Sequence, residues 1–362
     1  MSNKPVLSVI VAVYKAEKTL DRCLNSIFAQ LQKLGKRDVV EVIAVNDASP
    51  DESGTVLWRH GESHPELKIV THGENRHASG ARNTGIFESC GEYFTFIDAD
   101  DEYADGAIGK ILDAIDKFHP DLIHYCYERV SPEGSFLSRT KFSMPGFHSI
   151  ASEGEDELKA VFQETAFGIM TSGGVYRRAV APDLRFDQTW QISEDRHFGW
   201  EFFRRCRNVF QIGDTLYRYY QYPDTVSRAL SDEAVEGLVA LDRIFWEEFH
   251  QCPSFPKASR YGFRRLFPGV VGWHFDLVFE DIRRVRLVEL YFNTLNTYLG
   301  ATARCELGVG FYWLEYAVKL KSRCMIKTYR TLFAHFLTPA TIRLSRMLHQ
   351  ISGHKHRFEN AK

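Results

Sequence analysis

Three observations predict an α/β fold in which a mostly parallel central sheet is flanked by helices. Short apolar runs recur through the N-terminal part of the chain, a helical pattern separates each run from the next, and polar or acidic residues directly follow the runs. Runs that are apolar on both faces are typical of buried parallel strands. Strands and helices that alternate at this spacing indicate βαβ units in a doubly wound sheet.

The predicted elements follow one another in a regular order. LSVIVAV, VVEVIAV, LKIV and YFTFI predict strands at 7–13, 39–45, 67–70 and 93–97, and we expect all four to be central in the sheet. The helical patterns between them cover 18–34, 52–60 and 79–90. Short strands at 121–127 and 209–212 accompany further helices over 105–228, and from residue 231 onward the pattern is mainly helical.

The composition favours a cytoplasmic protein. The 362 residues carry a net charge of −2, and no apolar run approaches the ~18 residues needed to cross a bilayer. The N-terminus lacks the basic segment, apolar core and cleavage site of a signal peptide. Seven cysteines are scattered without a CxxC pair, which favours reduced thiols over a metal or disulfide role.

Acidic and polar side chains follow three of the predicted strands. Tyr14 and Glu17 come after the first strand, Asn46 and Asp47 after the second, and the acidic run DADD, residues 98–101, after the fourth. Because ligands of open α/β sheets collect beyond the carboxyl ends of the strands, we expect these side chains to line one crevice.

No GxGxxG motif follows the first strand, so a bound phosphate needs another counter-charge. Mg²⁺ or Mn²⁺ would supply it, with oxygen ligands from an Asp-x-Asp pair and a diphosphate. A purely structural acid-rich turn is the alternative.

Five segments carry a resemblance to a known family. They are SVIVAVYKAEKTLDRCLNSIFAQ, VEVIAVNDASPD, GENRHASGARNTGIFESCGEYFTFIDADDEY, ISEDRHFGWEFF and DTLYRYYQYPDTVSR, in this order over residues 6–228. Together they resemble the inverting family-two glycosyltransferases of the GT-A fold, especially the bacterial enzymes that build capsule, lipopolysaccharide and other surface glycans.

The resemblance assigns the nucleotide contacts to matching positions. It implies that Tyr14, Glu17 and Asp47 contact the base and ribose of the nucleotide, with Asp47 as the acid that recognises the base. Asn75 and Arg82 match the segment that closes over the nucleotide, where Arg82 is also a candidate for a phosphate contact.

The resemblance also assigns the metal and the general base. Asp98 is expected near the ribose and the metal, Asp100 as a direct metal ligand, and Asp101 as an extra acid that need not touch the ion. The family places its general base at the second acid of its segment, here Asp195, and a carboxylate within hydrogen-bond reach of the attacking hydroxyl can take its proton. The alternative for Glu194 and Asp195 is that they only begin a helix, whose dipole favours acids.

Other positions bear on the acceptor or depart from the family pattern. Glu194 and Trp190 are candidates for acceptor contacts, although core packing explains a tryptophan equally well. Ala48 and His77 stand where glycine is common in the family. The last segment lacks the histidine that some relatives use near the diphosphate or metal, so the resemblance names no third metal ligand.

The resemblance implies a specific activity and domain organisation. We expect a metal-dependent transfer of a sugar from a nucleotide diphosphate, with UDP favoured, to a hydroxyl of a glycan or lipid-linked glycan. Residues 1–230 would form the catalytic domain, with a nucleotide-binding half at 1–104 and an acceptor half at 105–230, and 231–362 a helical region. The rival interpretations are a nucleotidyltransferase acting on a sugar phosphate and a non-catalytic nucleotide-sugar-binding partner.

The C-terminal region is basic and aromatic. Residues 317–362 contain ten Lys or Arg residues and one acidic residue, and aromatic side chains interleave with them from residue 311. Such helices are typical of peripheral contact with an anionic membrane. Packing against the catalytic domain and a dimer interface are equally compatible with the pattern, whereas the five segments make nucleic-acid binding remote.

Overall fold

The computed structural model describes residues 4–142, 145–153, 171–190 and 194–222. All of them lie in the first of the two units into which the chain divides, Met1–Leu266. The predicted helical region at 231–362 and the proposed membrane contact at 311–362 lie outside the described residues, and the domain boundary near residue 230 stays a prediction.

The described residues form ten strands and six helices. The strands are β1 Leu7–Val13, β2 Val40–Asn46, β3 Leu67–Thr71, β4 Tyr93–Asp98, β5 Glu102–Tyr103, β6 Leu122–Val130, β7 Phe136–Arg139, β8 Gly146–Ser149, β9 Gly174–Arg177 and β10 Asn208–Tyr220. The helices are α1 Leu20–Leu34, α2 Ser53–Ser63, α3 His77–Glu88, α4 Ala107–Phe118, α5 Ile150–Glu153 and α6 Glu194–Phe203. Two 3₁₀ turns flank β9, at Thr171–Gly173 and Arg178–Val180.

All ten strands belong to one sheet, in the order β3-β2-β1-β4-β9-β6-β10-β5, with β7 paired to β6 and β8 to β10. Strand β1 runs parallel to β2 and β4, and β2 runs parallel to β3. The carboxyl ends of β1, β2 and β4 therefore meet at one edge of the sheet. Beyond β4 the sheet is mixed, because β9 is antiparallel to both β4 and β6.

The predicted α/β class with a central sheet flanked by helices is confirmed. One detail differs, because we expected all four N-terminal strands to be central. Strand β3 is the edge strand of the sheet, and its Lys68, Ile69 and Thr71 are not buried. A short apolar run does not distinguish an edge strand from a central one when only one of its faces is covered.

Helices cover both faces of the sheet. On one face, α1, α2 and α4 pack with the odd-numbered β1 residues Leu7, Val9, Val11 and Val13 in the larger apolar core. On the other face, α3 and α6 enclose an aromatic cluster formed by Phe94, Phe96, Tyr176, Phe186, Phe198 and Phe202. Alternate residues of β4 thus face opposite cores, as the period of a strand requires.

Within the described ranges, no helix is long and apolar enough to cross a membrane. Cys23, Cys90, Cys126 and Cys206 are free thiols there, and only Cys90 is exposed.

Candidate active site

The loops after β1 and β2 are tied to each other. The Asp47 backbone N–H donates to the Val13 carbonyl oxygen at 2.9 Å. The Glu17 N–H donates to an Asp51 carboxylate oxygen at 3.1 Å, and the Glu52 N–H donates to a Glu17 carboxylate oxygen at 3.1 Å. Tyr14, at the start of the first loop, is 45% exposed. The structure therefore places Tyr14, Glu17 and Asp47 on two adjoining loops at the carboxyl edge of the sheet.

Asp47 is the buried member of this group, at 2% exposure. His72 Nδ1 lies 2.6 Å from Asp47 Oδ1, and the Arg76 backbone N–H donates to both carboxylate oxygens, at 2.9 and 3.1 Å. The predicted nucleotide residue Asn75 lies in the same segment, where its side-chain oxygen accepts the His77 N–H at 3.0 Å. The segment that precedes α3 is thus fastened to the end of β2.

The three aspartates of the DADD run have three different environments. Asp98 accepts a hydrogen bond from Arg82 Nη2 at 2.9 Å. Asp101 is fully buried and accepts hydrogen bonds from the Tyr217 hydroxyl at 2.6 Å and the Tyr220 N–H at 2.8 Å, both on β10. These bonds explain how a carboxylate is accommodated below the surface, and they fit Asp101 as an acid that need not touch an ion.

Asp100 is the aspartate of this turn with the properties of a ligand. Among the described residues, its carboxylate accepts a hydrogen bond from its own backbone, and no side chain donates to it. Burial, together with the charge of Asp98, raises the pKa of Asp100 to about 6. A carboxylate in such a place is stabilised by a cation that shares its oxygens.

The residues at the turn fit a divalent cation of the Mg²⁺ or Mn²⁺ type. No group of three or more His, Cys, Asp or Glu side chains within the described ranges is arranged to hold a metal ion. Mg²⁺ does not need one, because it is bound by one or two carboxylates, with water and substrate phosphates completing its shell. Asp100 and Asp98 would hold the ion.

Arg82 joins the acid turn to helix α6. From α3, its guanidinium donates to Asp98 at 2.9 Å and to Glu194 at 2.9 Å, and its side chain is only 10% exposed. Burial alone would lower the pKa of Arg82, but the two carboxylates outweigh burial and raise it. The guanidinium therefore stays charged and holds the two acids, 96 positions apart in sequence, on one side of the sheet.

Asp195 lies in the first turn of α6, next to Glu194. Its Oδ1 accepts the Arg196 backbone N–H at 2.8 Å. Burial raises the pKa of Asp195, and burial together with the charge of Asp195 raises the pKa of Glu194. A raised pKa makes an aspartate a stronger base near neutral pH. The two acids do begin a helix, but Glu194 is turned to Arg82.

Trp190 is not joined to these acids by any contact in the described part of the chain. It is half-buried, its ring stacks on His197 with centroids 4.7 Å apart, and it packs against the aromatic cluster. An acceptor contact by Trp190 stays a prediction, as does one by Glu194.

Sequence reasoning missed Arg22 of α1. It donates to the Asp100 carbonyl oxygen and to the Tyr222 hydroxyl, and its guanidinium carbon lies 3.5 Å from the centre of the Tyr220 ring. Arg22 thereby connects the acid turn with the end of β10. No local motif marks it, because its partners are 78 to 200 positions away.

The backbone conformation at Ala48 and His77 explains why glycine suits these two positions of the family pattern. Both have left-handed backbones, with φ of 54° and 60°. This conformation suits glycine and strains a residue that carries a Cβ atom. Glycine, which the family pattern has at these positions, would relieve backbone strain at Ala48, next to Asp47, and at His77, the first residue of α3.

The Ala48→Gly variant is expected to be more stable than the wild type by about 0.5–1 kcal/mol, since relief of strain exceeds the entropy that glycine adds to the unfolded chain. Urea unfolding measures the difference. Ala29→Gly, at an exposed position inside α1, is the matched control and should lose about 0.5–1 kcal/mol. Equal losses in both variants would contradict the strain at Ala48.

Residues 8–185 match the family described as glycosyl transferase family 2. Similar proteins include the uncharacterized glycosyltransferase EpsJ of Bacillus subtilis, 26% identical over 229 residues that cover 62% of this chain and 63% of EpsJ. The amylovoran biosynthesis glycosyltransferase AmsB of Erwinia amylovora is 29% identical over 195 residues, which cover 52% of this chain and 60% of AmsB. The alignments thus span a little under two thirds of the length of these curated relatives.

Solved structures share the fold. S. aureus TarS 1–349 in complex with UDP-GlcNAc superimposes with a TM-score of 0.68 at 16% identity, covering 91% of each chain. The mannosyltransferase PcManGT from Pyrobaculum calidifontis, in complex with GDP-Man and Mn²⁺, has a TM-score of 0.50 at 16% identity, covering 92% of this chain and 87% of PcManGT. The family match includes the loops after β1 and β2, helix α3 and the acid turn, and residues 8–185 of this chain are therefore a glycosyl transferase family 2 domain.

Proposed function

We propose that this chain is a metal-dependent, inverting glycosyltransferase that moves a sugar from a UDP-sugar to a hydroxyl of a bacterial surface glycan. The observation that carries the proposal is the Arg82 bridge, because it brings the acid turn with Asp100 together with the first turn of α6, where Asp195 lies. A donor site and a base on one side of the sheet are what a single displacement needs.

The chemistry assigns one task to each part of this site. The acceptor oxygen forms a bond to the anomeric carbon while the bond from that carbon to the diphosphate oxygen breaks. Asp195 takes the proton of the attacking hydroxyl. A divalent cation held by Asp100 and Asp98 would offset the charge that develops on the departing diphosphate. Asp47, Tyr14 and Glu17 would bind the base and ribose from the adjoining loops.

Similar proteins support the donor, acceptor and metal. TarS was solved with UDP-GlcNAc, AmsB is described as an amylovoran biosynthesis enzyme, and PcManGT was solved with Mn²⁺. Amylovoran synthesis favours a polysaccharide acceptor. The raised pKa of Asp100 independently favours a cation at the acid turn.

The proposal is tested by thermal shift with UDP-sugars in the presence and absence of Mn²⁺. We expect one donor to raise the melting temperature in a metal-dependent way. Asp100→Asn should weaken the apparent affinity for Mn²⁺ at least about tenfold, because a charged ligand is lost. Asp105→Asn, at an exposed acid four residues after the turn aspartate Asp101, is the matched control and should behave as the wild type.

Three results would contradict the proposal, each in its own way. An unchanged Mn²⁺ dependence in Asp100→Asn would remove Asp100 from the ligands. Release of pyrophosphate from UTP and a sugar phosphate would favour a nucleotidyltransferase. Donor binding without slow release of UDP or transfer to any glycan would favour a non-catalytic binding partner.

A further inference from the structure

Three hydrogen-bonded polar side chains form a buried series beside the loop after β2. Asp47 follows β2, His72 follows β3, and Thr84 lies on α3. Asp47 Oδ1 is 2.6 Å from His72 Nδ1, and His72 Nε2 is 2.9 Å from Thr84 Oγ1. His72 is 8% exposed and Asp47 2% exposed. Three separate elements thus determine where the Asp47 carboxylate points.

The direction of each of these two hydrogen bonds follows from the chemistry of the side chains. An ionised carboxylate only accepts hydrogen bonds, so His72 Nδ1 carries the proton that is donated to Asp47. In a neutral imidazole the other nitrogen is then an acceptor, and the Thr84 hydroxyl donates to it. The Asp47 carboxylate therefore selects the His72 tautomer with the proton on Nδ1, and the Thr84 hydroxyl supports this tautomer by donating to Nε2.

The two oxygens of Asp47 are used unequally. Oδ1 accepts from His72 at 2.6 Å and from the Arg76 N–H at 2.9 Å, whereas within the described residues Oδ2 has only the longer, shared contact with Arg76 at 3.1 Å. Oδ2 keeps the capacity to accept a further N–H. A ligand that presents an N–H there is favoured, and a ligand that presents a lone pair is repelled.

We propose that His72 and Thr84 are positioning residues that hold Asp47 as an acceptor for the ring N–H of uracil and so select uridine over cytidine nucleotides. The proposal rests on the proposed function, in which Asp47 meets the base. Uracil carries a hydrogen on N3, and cytosine has a lone pair at the same place. Burial strengthens this discrimination, because a buried polar group left unpaired is costly.

The full-length protein with Mn²⁺ provides the test, with UDP and CDP affinities measured by calorimetry. His72→Leu and Thr84→Val should weaken UDP binding and reduce the preference for UDP over CDP, by about tenfold in His72→Leu and less in Thr84→Val. His72→Asn, whose amide can donate from near the Nδ1 position, and Thr84→Ser, which keeps the hydroxyl, should stay near the wild type.

Two controls separate positioning from general damage. His60→Asn alters another His–Asp contact, 2.8 Å from Asp21, and should leave the UDP preference unchanged. In turnover assays, His72→Leu should raise KM for the donor and leave kcat nearly unchanged. A merely structural role would lower the folded fraction of the protein without changing the ratio of UDP to CDP affinities.

Failure of this inference can be told from failure of the proposed function. If Asp47→Asn loses the preference for UDP while His72→Leu and Thr84→Val keep it, the positioning role is overturned and the base contact stands. If Asp47→Asn keeps the preference, or the wild type binds UDP and CDP equally, the base contact fails and the inference fails with it.

Discussion

The Asp195→Asn variant is expected to lose sugar transfer by about 10²–10⁴-fold while it retains its affinity for UDP and Mn²⁺. Asparagine preserves the shape of the side chain and the contact with the Arg196 N–H, but it cannot take a proton from the acceptor hydroxyl. The raised pKa of Asp195 supports this role, because burial makes its carboxylate a better base than an exposed aspartate. The measurement is single-turnover transfer to a glycan acceptor, together with UDP binding.

The neighbouring acids provide the controls for this prediction. Glu201→Gln changes an acid on the same helix whose partners are Arg204 and Arg205, and it should keep transfer near the wild-type rate. Glu194→Gln loses a charge that Arg82 binds, so its effect would mix base chemistry with the bridge. Wild-type transfer by Asp195→Asn would assign the base to another residue.

Much of the sheet could be predicted from local patterns, because the first four strands are continuous apolar runs. Strands β1 and β4 begin where the runs LSVIVAV and YFTFI begin. Strand β10 was predicted only at 209–212, although it extends over thirteen residues. Its second half is rich in tyrosine and arginine, and the polar ends of these side chains bind Asp101, Glu102 and Glu128 across the sheet. Such pairing is invisible in a local window.

The parts of the site that lie in short sequence motifs could be predicted. The DADD turn and the loops after β1 and β2 lie together at the carboxyl edge, as the sheet rule implies. Arg22 and His72 could not be found in this way. Each of them contacts residues on other elements of the fold, and neither lies in a motif that marks it as functional. The glycine of the family pattern at positions 48 and 77 did indicate a left-handed backbone, which Ala48 and His77 both have.

The Arg82→Met variant is expected to lose about 3 kcal/mol of folding stability, near the lower limit for breaking a buried ion pair. Methionine fills much of the volume but leaves Asp98 and Glu194 without their shared cation. The two acid side chains are 30% and 17% exposed, so water screens part of the cost. Arg59→Met is the matched control: the Arg59 side chain is 60% exposed and pairs with Asp21, so removing it should cost at most about 1 kcal/mol in urea unfolding.

The bridge also predicts a coupling that a purely local loss of stability would not produce. Adding Glu194→Gln to Arg82→Met removes one of the two unpaired charges, so the double variant should be more stable than Arg82→Met alone. Arg82→Lys keeps a charge but cannot donate to both acids in the planar geometry of a guanidinium, so its stability should lie between the wild type and Arg82→Met. Equal stability of the single and double variants would show that Glu194 does not depend on Arg82. Because Arg82 alone connects Asp98 directly to α6 among the described contacts, its loss should also reduce transfer in the fraction of protein that remains folded.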